Sequence, residues 1–162
     1  GREYLLPVSV PDLGAAALPL LPGEGLIEQA IRLRRPLPYL DYGAGSLFGI
    51  VLQRVFAQTM ALRRHVVHQS PISDGLRQCA LAGWGVCWLP EGLVADDLRD
   101  GRLALASRDP AWHLPIELRV YRHRGDGRPV VGKLWDALKT MGEGVGVAGR
   151  GTAPLGGGLA AG

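Results

Sequence analysis

A glycine-rich turn is the first place in this sequence where residue types and spacing could bind a ligand. Gly43-Ala44-Gly45-Ser46 follows a short apolar segment and precedes apolar residues at helical spacing. The first N–H groups of a helix lack acceptors within the helix, and the helix dipole makes that end positive. Such a turn can accept a carboxylate or another anion. The simpler alternative is that Ser46 only caps the helix.

Two other strand ends carry candidate ligand contacts. Gln69 and Ser70 end one predicted strand, and Pro90 ends another. Ligands of open α/β sheets bind outside the carboxyl ends of the strands. The alternative, which we favour for Ser70, is an N-cap with Pro71 at the first helical position.

Sulfur atoms are the candidates for redox chemistry. Cys79 lies on the apolar face of a predicted helix and Cys87 in a predicted buried strand, so both are first interpreted as small core residues. A redox role requires an exposed thiol with a lowered pKa. Met60 can also be oxidised, whereas Met141 belongs to an apolar helical stripe.

Metal binding, cofactor binding and catalysis find little support. His65 and His68 are three residues apart, which on a strand places them on opposite faces. No Cys/His spacing resembles a zinc site, and Ser73-Asp74-Gly75 is not a nucleophile elbow. Gly43-Ala44-Gly45 lacks the third glycine of a dinucleotide site. We therefore predict no metal, no cofactor and no enzymatic activity.

The elements that must position these residues alternate along the chain. Short apolar strands alternate with helical stripes, which predicts an α/β fold with an open, mainly parallel sheet and flanking helices. Pro7 predicts that the first strand lies at a sheet edge, and Gly83 is expected to end a helix with a positive φ. The predicted strands are 4–10, 37–42, 64–69, 86–89, 103–106 and the alternating segment after Pro115. The predicted helices are 25–34, 47–58, the segment after Ser70-Pro71, 91–99 and 130–141.

Composition indicates a globular protein in a reducing compartment, the cytoplasm. The chain is 47% hydrophobic and 20% charged, with a net charge of +3 and two cysteines. It has no apolar run of the ~18 residues that a membrane span needs. The arginines are scattered apart from Arg34-Arg35 and Arg63-Arg64, so we predict no nucleic-acid surface in this chain. Because it opens on Gly1, we expect an N-terminal truncation.

The central segment resembles the effector domain of LysR-type transcriptional regulators. In that family a helix ends in Ala-Gly-x-Gly, a strand closes on Leu-Pro, and a helix leads to Asp-Gly-Arg-Leu. The matching residues here are 82–85, 89–90 and 100–103. The segments 37–49 and 114–141 resemble the family's ligand-facing turn and its closing strand and helix.

This resemblance implies a periplasmic-binding-protein-like effector domain. Residues 1–108 would form the second subdomain, 109–141 would return to the first, and the Gly/Ala-rich tail 142–162 would be disordered. The effector, expected to be anionic, would contact Tyr42, Gly43, Gly45 and Ser46. DNA would be bound only through a winged helix-turn-helix absent from this chain, in a homodimer or homotetramer.

A finer resemblance concerns the signal. The segments 6–12, 41–49 and 112–122 resemble the hypochlorite-responsive branch of the family. Two other classes of protein remain open: an extracytoplasmic solute-binding protein and a small α/β enzyme that uses Ser46 or a cysteine.

Overall fold

The computed structural model describes residues 2–13, 20–59, 61–117, 121 and 128–141. Strands and helices alternate along most of this part of the chain. The strands are β1 (Arg2–Ser9), β2 (Leu37–Asp41), β3 (Arg64–Gln69), β4 (Cys87–Pro90), β5 (Ala104–Leu105) and β6 (Leu114–Glu117). The helices are α1 (Leu26–Arg32), α2 (Leu47–Gln58), α3 (Ser73–Leu81), α4 (Glu91–Arg99) and α5 (Pro129–Met141), with a 3₁₀ turn at Pro110–Trp112.

The chain divides into two units. Residues 2–117 form one of them, with β1 to β6 and α1 to α4, and the other contains α5. In α5, Val130 and Leu134 are exposed. None of the helices in the described ranges is both long and apolar enough to cross a membrane.

The sheet confirms the α/β class and adds one strand of opposite direction. β2 and β3 are parallel, and Val86, next to β4, bridges Tyr39 of β2 in parallel. β1 runs antiparallel to β4 on one side and to β5 and β6 on the other. The parallel strands are therefore β2, β3 and β4, whereas β1 reverses direction.

Pro7 does not place β1 at an edge, and that prediction was wrong. Pro7 lies opposite Trp88 of β4, while its carbonyl oxygen accepts from Ala106 N on the other side (2.8 Å). On that side β6 pairs with Arg2 to Leu5 and β5 with Val8 and Ser9, so Pro7 falls between the two partner strands. The donor that proline lacks is therefore not needed by the ladder.

Aromatic side chains occupy the centre of the core. Trp88 is fully buried, and its Nε1 donates to the carbonyl oxygen of Trp112 (2.9 Å). The rings of Phe56 and Tyr39 meet Trp88 edge to face, with centroids 5.1 and 6.0 Å away. The bond of Trp88 to a backbone carbonyl satisfies its one polar atom.

Three helices end with the same pair of backbone hydrogen bonds. After α3, Gly83 N and Trp84 N donate to Ala80 O and Cys79 O, and Gly83 has φ +77°. This is the Schellman motif, and it confirms the predicted positive φ of Gly83. Gly101 occupies the same position after α4 with φ +70°. After α1 the position is held by Arg34 with φ 52°, where glycine would be favoured.

Several predictions fall outside the described residues. They concern Met60, Leu118 to Val120 of the alternating segment, and the tail 142–162.

Candidate functional site

Most of the predicted site residues lie at the carboxyl ends of the parallel strands. The turn 42–46 follows β2, Gln69 and Ser70 follow or end β3, and Pro90 ends β4. Because β2, β3 and β4 run parallel, these ends share one edge of the sheet. Ser70 N donates to Asp41 O (2.9 Å), which ties the end of β3 to the end of β2.

The turn between β2 and α2 leaves no room for side chains at two glycines. Gly43 has φ +79°, and a Cβ at this position would overlap the amide nitrogen of Gln69. A Cβ on Gly49 would overlap the carbonyl oxygen of Gly43. By contrast, nothing lies within 4 Å of a Cβ placed on Gly45. Gly45 therefore leaves the turn open, while Gln69 closes over Gly43.

Ser46 caps α2 as predicted. Its Oγ accepts from Gly49 N (2.9 Å), and its backbone N donates to Gly43 O (3.3 Å). The backbone N–H groups of Leu47 and Phe48 donate to no acceptor within the described ranges. The cap thus satisfies one donor of the first turn and leaves two for water or a ligand.

Tyr42 supports the turn from inside. Its side chain is 2% exposed, its ring meets Phe48 at 5.3 Å, and its hydroxyl lies 2.9 Å from Ser73 Oγ. Burial raises the pKa of Tyr42 well above its usual value. Tyr42 therefore positions α2 and α3 and does not present a free hydroxyl.

Ser70 does not cap α3 as expected. The helix begins at Ser73, with Ile72 in the N-cap position. Ser70 Oγ instead accepts from Ile72 N (3.3 Å), which forms a small turn before the helix. Pro71 lies in this turn, two residues before the helix, and therefore does not occupy the first helical position.

The three helices that start at this edge differ in charge. The first turn of α3 contains Asp74, and that of α4 contains Glu91. The N-terminus of α4 also meets Glu3 of β1, whose Oε1 accepts from Gly92 N (2.8 Å). The first turn of α2 contains no acidic residue. An anion therefore meets a carboxylate at α3 and α4 but not in the first turn of α2.

Sequence reasoning missed some of the residues that complete this edge. Glu3 is 89 positions from its partner Gly92, and Ser73 is 31 positions from Tyr42. No local pattern indicates such long-range pairs. Asp41 ends β2, and its carboxylate accepts from the hydroxyl of Tyr39 (3.2 Å). A buried acid at the end of an apolar strand was a usable signal for this bond.

The two cysteines, which are candidates for redox chemistry, differ in burial. Cys87 is fully buried, and burial raises the pKa of its thiol well above the usual value. This favours the structural interpretation of Cys87. Cys79 is partly buried and free. In the described ranges, no cluster of three or more His, Cys, Asp or Glu residues could hold a metal ion.

A cavity of about 250 Å³ lies at the carboxyl end of β1, away from the sheet edge that holds the predicted ligand contacts. Ser9, Val10, Leu26, Leu105 and Arg108 are among its lining residues, and none of the predicted ligand contacts is.

Comparison with solved structures defines the class of the domain. The regulatory domain of HypT from Salmonella typhimurium (apo-form) matches 86% of this chain and 61% of its own, with a TM-score of 0.62 and 23% identity. The LysR family regulator VV2_1132 matches 85% of this chain and 41% of its own, with a TM-score of 0.66 and 24% identity. The fold is therefore that of a periplasmic-binding-protein-like effector domain.

The sequence comparison then gives the family. The family model "LysR substrate binding domain" matches residues 15–143, so the chain belongs to that family. The regulator YjiE of Escherichia coli (strain K12) is 30% identical over 115 residues, which are 70% of this chain and 38% of YjiE. The helix-turn-helix-truncated regulator QseD of Escherichia coli O157:H7 is 31% identical over 104 residues, 64% of this chain and 43% of QseD.

These matches favour a regulator over the two alternatives. The curated relatives are transcriptional regulators and not enzymes, and the chain spans less than half of the length of either. A solute-binding protein and a small α/β enzyme are therefore the less favoured interpretations.

Proposed function

We propose that this chain is the effector-sensing part of a LysR-type transcription regulator that acts in the cytoplasm. Its DNA contacts would come mainly from a winged helix-turn-helix domain outside this chain, in a homodimer or homotetramer. Binding of the effector would shift the population between two arrangements of the subdomains, and with it the geometry of the DNA-binding domains. In this division, residues 1–108 belong to the second subdomain and 109–141 return to the first, with β6 as the start of the return, where it still pairs with β1 in the unit of residues 2–117.

We place the anionic group of the effector at the first turn of α2. The observation that carries this proposal is the charge difference at the sheet edge: α2 has no acid in its first turn, whereas α3 and α4 do. The backbone N–H groups of Leu47 and Phe48 would donate to the anion. Gln69 and Ser70 would offer polar groups beside it. Gly45 leaves the approach to the turn open, and Gly43 makes room for the amide of Gln69.

Tyr42 and Pro90 take supporting roles in this proposal. Tyr42 is buried and holds the turn through Phe48 and Ser73. Pro90 precedes α4, whose N-terminus already meets the carboxylate of Glu3. Pro90 would therefore border the site without binding the anionic group.

A single exposed residue allows a sharp test of the anion site. Leu47 is 73% exposed at the start of α2, so Leu47→Asp adds a carboxylate there without disturbing the core. Acids in the first turn stabilise a helix, so the fold should persist. We expect the response of the full-length protein on its promoter to a panel of small carboxylates to weaken at least about tenfold, or ~1.4 kcal/mol. Leu47→Asn, of the same shape without the charge, is the matched control.

The outcomes separate the parts of the proposal. If the response to carboxylates is unchanged in Leu47→Asp, the anionic group of the effector does not bind at the first turn of α2. If the full-length protein binds no DNA with or without ligand, the regulator proposal itself fails and the solute-binding alternative leads.

An oxidant is the second candidate signal. One of the similar solved structures is the full-length hypochlorite-specific regulator HypT, at 23% identity. In this chain the sulfur candidates are Cys79, Cys87 and Met60, and of the two cysteines Cys79 is the less buried residue. We expect an oxidant response to survive Leu47→Asp and to be lost in Cys79→Ser or Met60→Leu. A response to hypochlorite that persists in the double variant would exclude these two residues.

A further inference from the structure

The fold brings together the two arginine pairs of the sequence. Arg34 and Arg35 precede β2, and Arg63 and Arg64 precede or begin β3. β2 and β3 start side by side, since Leu37 pairs with Arg64 and Leu37 N donates to Arg63 O (2.9 Å). We call these four residues the arginine cluster. It lies at the amino ends of the parallel strands, opposite the proposed effector site.

Three residues of the arginine cluster lack a countercharge among the described residues, whereas the partly buried Arg64 interacts electrostatically with Asp41. Arg34, Arg35 and Arg63 are exposed, and none of the three forms an ion pair with a described carboxylate. The guanidinium of Arg64 stacks over the ring of Phe56 (3.5 Å), and its buried Nη1 has no acceptor. Four other arginines of the same unit are paired: Arg32 with Glu24, Arg77 and Arg102 with Asp97, and Arg99 with Asp96. Arg54 and Arg108 are also exposed and form no ion pair with a described carboxylate, but each stands alone in the sequence.

The charged groups on the adjoining elements do not reverse this balance. α2 and β3 contain no acidic residue, and Asp41, at the far end of β2, acts electrostatically only on the partly buried Arg64 of the cluster. In α1, Glu28 is in the first turn, and Arg32 in the last turn pairs with Glu24. The described surface at the arginine cluster is therefore positive.

Arg34 occupies a position that favours glycine. It completes the Schellman motif of α1 with φ 52°, whereas Gly83 and Gly101 hold the equivalent positions after α3 and α4. A left-handed backbone is unfavourable for a residue with a Cβ. A backbone outlier of this kind on an exposed residue is a reason to look for a function of its side chain.

We propose that the arginine cluster binds the phosphate backbone of the DNA held by the full-length protein. This inference rests on the proposed function as a DNA-binding regulator. Arginine presents a planar fork of donors that fits phosphate oxygens, and such contacts position a protein without reading sequence. Arg34, Arg35 and Arg63 are exposed charged residues, and the nearest exposed large apolar side chains, Val66 and Val67, lie further along β3. On this proposal the fold brings together a phosphate-binding surface that the separated arginine pairs of the sequence did not indicate.

The test is the salt dependence of DNA affinity. The full-length protein would be titrated on its promoter and on unrelated duplex DNA over a range of salt concentrations. The variant replaces Arg34, Arg35 and Arg63 with Gln. The matched control replaces three exposed basic residues on other elements, Arg99, Arg108 and Lys133, with Gln, so that the net charge falls equally.

We expect the slope of log affinity against log salt to fall by about one for each phosphate that no longer meets an arginine, or about two to three in the variant. Both duplexes should lose affinity alike, because binding to phosphates carries no base information. The control should keep the wild-type slope. Arg34→Gly, at a position that accepts glycine, is a second variant that should lower the slope by about one.

Three results would overturn the proposal. If the wild type and the arginine variants have equal slopes of log affinity against log salt, the arginine cluster does not bind DNA, but the regulator proposal stands. Unchanged DNA slopes with loss of binding to a poly-glutamate probe would assign the surface to an acidic protein. A wild-type protein that binds neither duplex would refute the proposed function and this inference together.

Discussion

The two cysteines show how residue surroundings decide chemistry. Cys87 lies in β4 with no exposed surface, and burial keeps its pKa far above the usual value, so the reactive thiolate is not formed at neutral pH. Cys79, on α3, is only partly buried. The sequence placed both in apolar positions and could not separate them, because their difference depends on how α3 packs on the sheet.

Thiol labelling checks this difference. We expect a thiol reagent at neutral pH to modify Cys79 in the native protein, whereas Cys87 reacts only on unfolding. Mass spectrometry of labelled Cys79→Ser and Cys87→Ser variants distinguishes the two sites. Equal labelling rates in the native state would contradict the burial of Cys87.

Arg34 gives a second prediction at the residue scale. A left-handed residue with a Cβ costs about 1–2 kcal/mol, and the extra freedom of glycine in the unfolded chain returns roughly 0.4–1 kcal/mol of that. Arg34→Gly should therefore raise the free energy of unfolding by about 0.5–1 kcal/mol, as measured by urea denaturation. Arg35→Gly, at a position without a positive φ, should lower it. A loss of stability in Arg34→Gly would refute the strain argument.

At the scale of elements, the turn between β2 and α2 depends on the close approach of two glycines. A Cβ on Gly49 would meet the carbonyl of Gly43, which also accepts from Ser46 N. The connection between β2 and α2 therefore packs directly against the first helical turn of α2. Its geometry follows from glycine at position 49 inside a helix, where glycine is otherwise unfavourable.

Gly49→Ala tests this packing. We expect it to lower the free energy of unfolding by about 2–3 kcal/mol, since backbone must move to admit the methyl group. Gly45→Ala, in open space, is the control and should change stability by less than about 0.5 kcal/mol. Thermal unfolding compares the two. An unaffected Gly49→Ala protein would show that the turn can widen.

The elements also show what the sequence could predict. The boundaries of α2, β3 and α4 agree with those predicted, because Ser46, Pro90 and Gly101 mark helix ends locally. Pro7 was misinterpreted because its partner strands β5 and β6, which leave a gap beside it, lie far along the chain. Ser70 was misinterpreted because its hydrogen bond with Ile72 forms a local turn, and the helix begins only at Ser73. The site edge was predictable as strand ends, whereas Glu3 and Ser73 were not.

At the scale of the unit formed by residues 2–117, a buried carboxylate joins distant segments. Asp97 of α4 is covered completely and binds Arg77 of α3 and Arg102 beyond α4. Hydrogen bonds from Arg77 lower the pKa of Asp97. The carboxylate therefore stabilises the fold above about pH 4, the value for an unfolded aspartate, and this contribution disappears as pH falls through the lowered pKa.

Acid titration checks the role of Asp97. We expect the wild-type protein to lose stability between about pH 5 and pH 2, and Asp97→Asn to lose less over the same range. Glu24, whose pKa the hydrogen bond from Arg32 lowers to about 2, contributes to both curves, so their difference isolates Asp97.

The partner arginine gives the matching test. Arg77→Leu leaves Asp97 buried with less countercharge and should cost about 3 kcal/mol. Arg99→Leu, which breaks the exposed pair with Asp96, should cost less than about 0.5 kcal/mol. Parallel pH profiles for the wild type and Asp97→Asn would exclude this account.

The place of β1 in the sheet also matters while the protein is being made. β1 is translated first of the strands, yet its partners β4, β5 and β6 come last of them. Because a chain is synthesised at about 5–20 residues per second, the apolar residues Leu5, Leu6 and Val8 of β1 remain without a partner strand for several seconds. Pro7 interrupts this segment, and proline hinders the strand stacking that starts aggregation. We expect Pro7→Val to form a sheet of similar stability but to refold with a lower yield at high protein concentration. Pro7 would then protect the unpaired β1 segment against aggregation until its partner strands are made.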